Sequence, residues 1–491
     1  MTREPHPKRM DVPAGPGTPG YPAGDEAAAE DEKKAGCLRR LVLLLVFVLA
    51  LAGGAVYVAY RWRMSCYELR LVEVRDQVRA EGYPATLAEL DASYKPVLPR
   101  ENAAVPLQKA FDLWGKSWPT GDRPPLAEPD WSLVKRGERL DPELSARIGT
   151  WLVACRDSLR HLEAASKMKK CRWPVDLAEP PRGATPVGPE PPRHGPQVSR
   201  AIGLTCLKAA KTADEGRGEE AVGDLITALG VARSLAGEPS VAAHHKLRLN
   251  LEVIGRATER VLQAPRVRPT GLDRLQRALF EAEHPGSLSR AVAGARAAGL
   301  DALGRPFDVS SPPAGGPRGP ADDEEAPSEL KARLLAHCLK GGFERDLALY
   351  AKTMSASVSV AQKPYPERFR LAQGLGLSPG PDAGLTQRVL GVPRLAMISP
   401  VAARDACAVA LLRLCRTAVA IERFRHASGV RPMKLETMAP EPLPRVPADP
   451  FDNKGVRYRR LVKGYRLWSV GPDGKDGLGE SDEDIVLEVA R

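Results

Sequence analysis

Residues 41–60, LVLLLVFVLALAGGAVYVAY, hold no charged and no strongly polar side chain. At about 1.5 Å rise per residue, a helix of this length spans roughly 30 Å, the hydrocarbon thickness of a bilayer. Arg39 and Arg40 flank one end, and Tyr57, Tyr60, Arg61, Trp62 and Arg63 mark the other. Tyr and Trp beside Arg suit the membrane–water interface. A cleaved signal peptide is the rival reading, because Ala50-Leu51-Ala52 has the small-x-small form. The segment before it is far too long for a signal n-region, and the apolar run continues past that site. Cys37 precedes the run instead of ending it, which argues against a lipoprotein. The expectation is a transmembrane helix over 38–62 and a single span.

A chain of 491 residues is too long for one ordinary core. Aromatic residues are only 5%, while Ala, Leu, Arg, Gly and Pro are abundant, which favours Ala/Leu helices joined by Pro/Gly loops. The formal net charge of +11 raises the question of nucleic acid. Lys and Arg are interspersed with Asp and Glu at helical spacing, which marks solvated faces, so no nucleic-acid partner is expected. The eight Cys form no C-x-x-C pair and no zinc-type spacing. Buried thiols are the preferred reading; Cys155 and Cys171 could pair if their part of the chain is extracytoplasmic.

Residues 1–37 carry almost no large apolar residue and are expected to be a disordered tail. After the span, a helix continues to Gly82, where Gly and then Pro84 stop it. A helical body is expected over 63–304, with helices at 101–115, 141–168, two within 198–235, and others at 240–263, 270–283 and 287–303. Residues 305–328 read as a flexible linker, and 329–399 as a helical segment with a Gly/Pro-rich loop. A last long helix is expected over 400–427. Beyond Gly429, the runs VRYRRL, YRLWSV and DIVLEV alternate like strands with Asp/Gly turns between them. Three short strands cannot build a core alone, so the 400–427 helix should cover one face. The fold class expected is therefore mainly α, with a small α+β module over 400–491: a long helix packed on a short antiparallel sheet.

Catalytic signatures are absent: no G-x-S-x-G, no H-E-x-x-H, no G-x-x-x-x-G-K-[ST] and no kinase set. His244-His245 reads as a surface pair, and GLGLSPG at 374–380 as a turn, because no strand precedes it. No enzyme activity, no catalytic residue and no small-molecule substrate are expected; an envelope hydrolase would need a clustered Ser/His/acid set in the folded body. The terminal loop differs. Asp473, Asp476, Glu480, Asp482, Glu483 and Asp484 crowd together among glycines 471, 474, 477 and 479. Close carboxylates repel unless solvated or bound to a hard cation, and calcium takes six to eight oxygens from flexible loops. The EF-hand spacing is not met, so composition leaves two readings open, a calcium site and a solvated hairpin.

The segment ADPFDNKGVRYRR, followed by GYRLWSVGPDGKDGLGESDEDI, resembles the C-terminal domain of the type II secretion major pseudopilin, the G-type subunit. Matching positions are Asp449, Pro450, Phe451, Tyr458, Ser469, Gly471, Asp473, Gly474, Asp484 and Ile485. The resemblance covers roughly residues 403–491. It implies a structural calcium held by Asp473 and Asp484, with Asp482 or Glu483 as a third carboxylate and the carbonyls of Val470 and Lys475 completing the shell. It also implies an extracytoplasmic body with the N-terminus in the cytoplasm, anchored in the inner membrane. Flanking charge decides little here, since Arg61, Arg63, Arg70, Arg75 and Arg79 after the span balance the cations before it.

The chain departs from that family at its start. Gly36 is followed by Cys37-Leu38-Arg39-Arg40-Leu41, with neither the Phe nor the Glu of a pseudopilin cleavage region. Processing and ordinary pseudopilus assembly are therefore not implied. The layout also resembles uncharacterised single-span proteins of planctomycete-type bacteria. Two helix exits echo each other, RAEGYPATLAEL at 79–90 and RHASGVRPMKLETM at 425–438. The combined expectation is a membrane-anchored structural or interaction protein, linked to other envelope or secretion proteins. The alternative is a peptide- or protein-binding receptor body with the C-terminal module as a passive cap.

Overall fold

The computed structural model describes residues 25–117, 134, 138–178, 194–265, 267–304, 344–375 and 398–490. Residues 1–24 of the expected tail, residues 179–193, the linker at 305–328, the start of the following helical segment at 329–343 and its Gly/Pro-rich loop at 376–397 lie outside them.

Contacts divide the chain into residues 1–65 and residues 66–491. The first unit is dominated by α1, Asp25–Ala80, a helix that continues into the second. α1 starts inside the tail expected to be unstructured. The run DEAAAEDEKKAG is built from good helix formers, and extending an existing apolar helix avoids the cost of a new nucleus. The side chains of residues 38–59 are exposed throughout. Among the described residues, α1 is the one helix long and apolar enough to cross a membrane.

The second unit is helical with one small sheet. Its helices are α2 (Leu87–Ser93), α3 (Ala104–Ser117), α4 (Pro142–Ala154), α5 (Arg156–Ser166), α6 (His194–Asp214) and α7 (Gly218–Ala232). They continue with α8 (Val241–Leu262), α9 (Pro269–Glu281), α10 (Ser287–Gly304), α11 (Glu344–Gln362), α12 (Glu367–Gly374) and α13 (Ile398–Ser428). The single helix expected over 141–168 is two. They meet at Cys155, which caps both α4 and α5, and Trp151 and Leu162 on either side enter the same core.

Both echoed helix exits end on a left-handed glycine, Gly82 at φ 83° and Gly429 at φ 77°, a conformation without penalty only for Gly. They then diverge. After Gly82, the Thr86 hydroxyl accepts the Glu89 amide at 3.2 Å while the Glu89 carboxylate accepts the Ala85 amide at 2.8 Å. These reciprocal bonds satisfy donors at the start of α2. After Gly429 the chain forms only a 3-10 turn, Leu435–Met438.

The sheet has strand order β1 (Arg457–Arg460), β2 (Tyr465–Ser469), β3 (Ile485–Val489), antiparallel throughout. Arg460 pairs with Tyr465, and Ser469 with Ile485. Tyr465, Leu467, Leu487 and Val489 are fully buried in one core with Leu412, Cys415, Val419 and Ile421 of α13. The Tyr465 hydroxyl bonds the Ala418 carbonyl at 3.2 Å. The helix thus covers the sheet face, as three short strands require. A second core joins Tyr67, Leu71, Val74 and Val78 of α1 to α10, α11 and the start of α13.

Candidate functional site

The C-terminal module is organised around Asp449, which is fully buried. Its carboxylate accepts the amides of Phe451 and Val470 and the Ser469 hydroxyl, each at 3.0 Å, and the Arg457 guanidinium at 2.6 Å. Burial pushes this carboxyl above its ordinary range, and the amide bonds from Phe451 and Val470 offset part of that rise. The D-P-F and Ser positions that match the pseudopilin pattern are therefore one hydrogen-bonded unit. It ties the segment before β1 to the end of β2.

The acidic loop leaves β2 at Gly471 and returns to β3 at Ile485. Gly471, Gly474 and Gly479 all have positive φ. A Cβ on Gly471 would sit 1.9 Å from the Glu483 carbonyl oxygen, so only Gly lets the two arms of the loop approach. Asp484 closes the loop from inside: its two carboxylate oxygens accept the Gly479 amide at 2.9 Å and the Gly477 amide at 3.4 Å. Asp476 accepts the Trp468 indole N–H at 2.8 Å and the Leu478 amide at 3.0 Å; the indole bond is the chief cause of its lowered carboxyl pKa. Glu480 pairs with both Arg459 and Arg466, and the Arg459 hydrogen bond leads in lowering its pKa.

Of the six residues expected to hold calcium, Asp473 and Asp484 have hydrogen bonds within the loop. Asp484 spends both oxygens on amides. Asp473 caps the Lys475 amide at 3.1 Å. Asp482 and Glu483 are exposed, Val470 is buried, and Lys475 is exposed. Among the described residues there is no group of three or more His, Cys, Asp or Glu side chains placed to hold a metal ion. Asp484 would have to share its amide-bonded oxygens with any cation, while among the described residues no hydrogen bond occupies the carboxylates of Asp482 and Glu483.

A second polar constellation lies in the helical body. Asp405 on α13 is fully buried. It receives Arg248 of α8 at 2.6 Å, Arg368 of α12 at 3.0 Å and the Tyr365 hydroxyl at 2.5 Å. His244 Nε2 stands 3.4 Å from the same carboxylate. Burial alone would raise the Asp405 pKa, but Arg248, His244 and Arg368 hold it far below the usual carboxylate range. Burial lowers the His244 pKa, so its ring is neutral at pH 7. His244 is therefore not one of a surface pair: it faces the core while its neighbour His245 is exposed. The apolar periodicity of α8 places position 244 on the same face as Leu247 and Leu251, and that was the available signal.

A third pair was not legible. His194 Nε2 meets Glu238 at 2.8 Å, and its ring stacks on Trp173 at 4.1 Å. Neither ring nitrogen of His244 has a hydroxyl or thiol hydrogen-bond partner. The His244–Asp405 pair joins α8 to α13, and the His194–Glu238 pair joins α6 to the segment before α8. The cysteines described are free, and burial raises the Cys155 and Cys171 thiols to about 11 and about 12.

Comparison with family models, with curated proteins and with solved structures returned no match.

Proposed function

We propose that this chain is a single-pass membrane-anchored interaction protein, with its helical body and C-terminal module on the extracytoplasmic side. The observation that carries the anchor is the complete exposure of the apolar window of α1. Each large aliphatic side chain left in water forgoes about 1.5–3 kcal/mol of burial, so a run of this length calls for hydrocarbon around it. The interaction role is supported by the way polar chemistry is used: the buried acids and histidines described above are consumed in tying helices and loop together. The orientation rests on the likeness of the C-terminal module to pseudopilin domains, as does the link to secretion or envelope proteins. A reporter enzyme active only outside the cytoplasm, fused after residue 491, is expected to be active; activity of a cytoplasmic reporter in its place would reverse the orientation.

Calcium is a second reading of the loop. It is favoured by the exposed carboxylates of Asp473, Asp482 and Glu483 around the buried Asp484. Binding would require Asp484 to release its glycine amides. A rise in melting temperature on adding calcium, abolished in Asp473→Ala, would support it. An unchanged melting curve with calcium or chelator would contradict it.

A further inference from the structure

We infer that the C-terminal module docks on an anionic lipid surface, through the β1–β2 turn and the loop that follows α13. This rests on the membrane-anchored reading and gives the module a lipid contact of its own.

The turn between β1 and β2 reads LVKG, residues 461–464. Gly464, at φ 97°, makes it: a Cβ there would sit 1.7 Å from the Val489 carbonyl oxygen, so the turn lies close against the end of β3. Val462 is fully exposed and adds nothing to that fit. It stands where turn chemistry favours Gly, Asn, Asp or Ser. The loop after α13 supplies two more apolar side chains, Val430 and Met433, 62% and 73% exposed. The Tyr458 hydroxyl donates to the Pro432 carbonyl at 2.8 Å and Arg460 reaches the Met433 sulfur at 2.7 Å, so strand, turn and loop are joined. Isolated exposed apolar residues are ordinary; three of them on two adjoining loops make a patch.

The charge on these loops has one sign. Residues 429–434 and 460–464 carry Arg431, Lys434, Arg460 and Lys463 and no acidic residue. Burial raises the Tyr458 hydroxyl pKa, while Arg460 and Arg431 both lower it, so both guanidinium groups lie near that ring. Lys434 and Lys463 are exposed and make no ion pair. Of the acids close by, Glu422 is buried and bonded to Arg425, and Glu436 stands exposed two positions past Lys434. Cations around exposed aliphatic tips match a phospholipid surface on both counts. Anionic headgroups take the charge, and the acyl boundary takes Val430, Met433 and Val462. A nucleic acid would take the charge alone, because neither loop segment holds an aromatic side chain for a base to stack on. The chain also carries its own candidate membrane span, and such a tether keeps headgroups at high local concentration.

The test uses the full chain in lipid nanodiscs, one set of phosphatidylcholine alone and one with phosphatidylglycerol added, with amide hydrogen exchange read by mass spectrometry. Both faces of a disc carry the same lipid, so the orientation of the chain does not enter. Peptides covering 429–434 and 460–464 should exchange roughly tenfold more slowly in the anionic discs, and high salt should shrink the difference. Lys434→Glu combined with Lys463→Glu should abolish the slowing. The same reversal at Lys95 and Lys109, exposed on the helical body, should leave it in place. Unchanged exchange in β2 and β3 establishes that the module stays folded in both variants. Equal exchange in the two kinds of disc overturns the inference. So does a slowing that the Lys95 and Lys109 reversal removes as fully, which is the mark of net charge alone. So does a slowing produced by an added oligonucleotide in neutral discs, with none from anionic lipid. A chain that elutes apart from the discs contradicts the membrane-anchored reading beneath the inference, whereas equal exchange in discs that hold the chain contradicts the inference alone.

Discussion

Asp484 accepts the amide hydrogen of Gly479 at 2.9 Å, across five positions of the acidic loop. A carboxylate that looked available to a cation is the internal fastener of its own loop. Replacing it with Ala leaves the amides of Gly477 and Gly479 without their acceptor. The expected loss is about 1–3 kcal/mol of stability, the usual cost of orphaning part-buried donors. Urea unfolding of Asp484→Ala, with and without calcium, measures it; wild-type stability in both conditions would show that the bonds do not matter.

The loop glycines should not be equivalent. Gly471 and Gly474 share φ 68°, but only Gly471 faces a backbone oxygen at contact distance, while Gly474 faces open space. Gly474→Ala should cost only the left-handed penalty, about 1–2 kcal/mol. Gly471→Ala must also push apart the two arms of the loop, so its melting temperature should fall further. Equal losses for the two would place the arms farther apart than described.

The fold was largely legible, and the reasons are local. Periodic apolar positions gave α6 to α10 and α13, and alternation with Asp/Gly turns gave the three strands. The uninterrupted run at 41–60 gave the spanning candidate. What was not legible depends on partners distant in sequence. His244 meets Asp405, and His194 meets Glu238 and Trp173; no local pattern announces such pairs. The bonds of the acidic loop were illegible for the same reason. Its composition shows crowded carboxylates, but not that Trp468, Arg459, Arg466 and the glycine amides arrive to satisfy them.

Acid should unfold the body through its buried histidines before its carboxylates. Burial, with Arg248, Arg233 and Arg290 nearby, depresses the His284 pKa to about 3, and burial also depresses that of His244. A histidine with a lowered folded pKa favours the native state fully above its unfolded value of about 6.5, and that contribution is lost as pH falls from there. Stability should therefore decline from about pH 6.5 downward. His284 has φ 44°, so Asn is the fitting replacement; His284→Asn should flatten that decline. A decline of unchanged slope in the variant would assign it elsewhere.

Asp405 should contribute a separate, more acidic step. Its folded pKa is lowered, so its contribution is complete above the unfolded value of about 3.9 and is lost as pH falls below it. At neutral pH, Asp405→Asn leaves Arg248 and Arg368 buried without their counter-charge, and breaking a buried pair typically costs about 3–5 kcal/mol. Denaturant midpoints of the variant at pH 7 and pH 3 check both statements: a large deficit at pH 7 and a smaller one at pH 3. A variant as stable as wild type at pH 7 would remove the cluster from the forces that hold α8, α12 and α13 together.

The membrane anchor is tested most directly by washing membranes from cells that express the full chain with alkaline carbonate. The full chain should stay with the lipid pellet, and a variant lacking residues 41–60 should leave it. Release of the full chain into the supernatant would contradict the membrane-anchored reading.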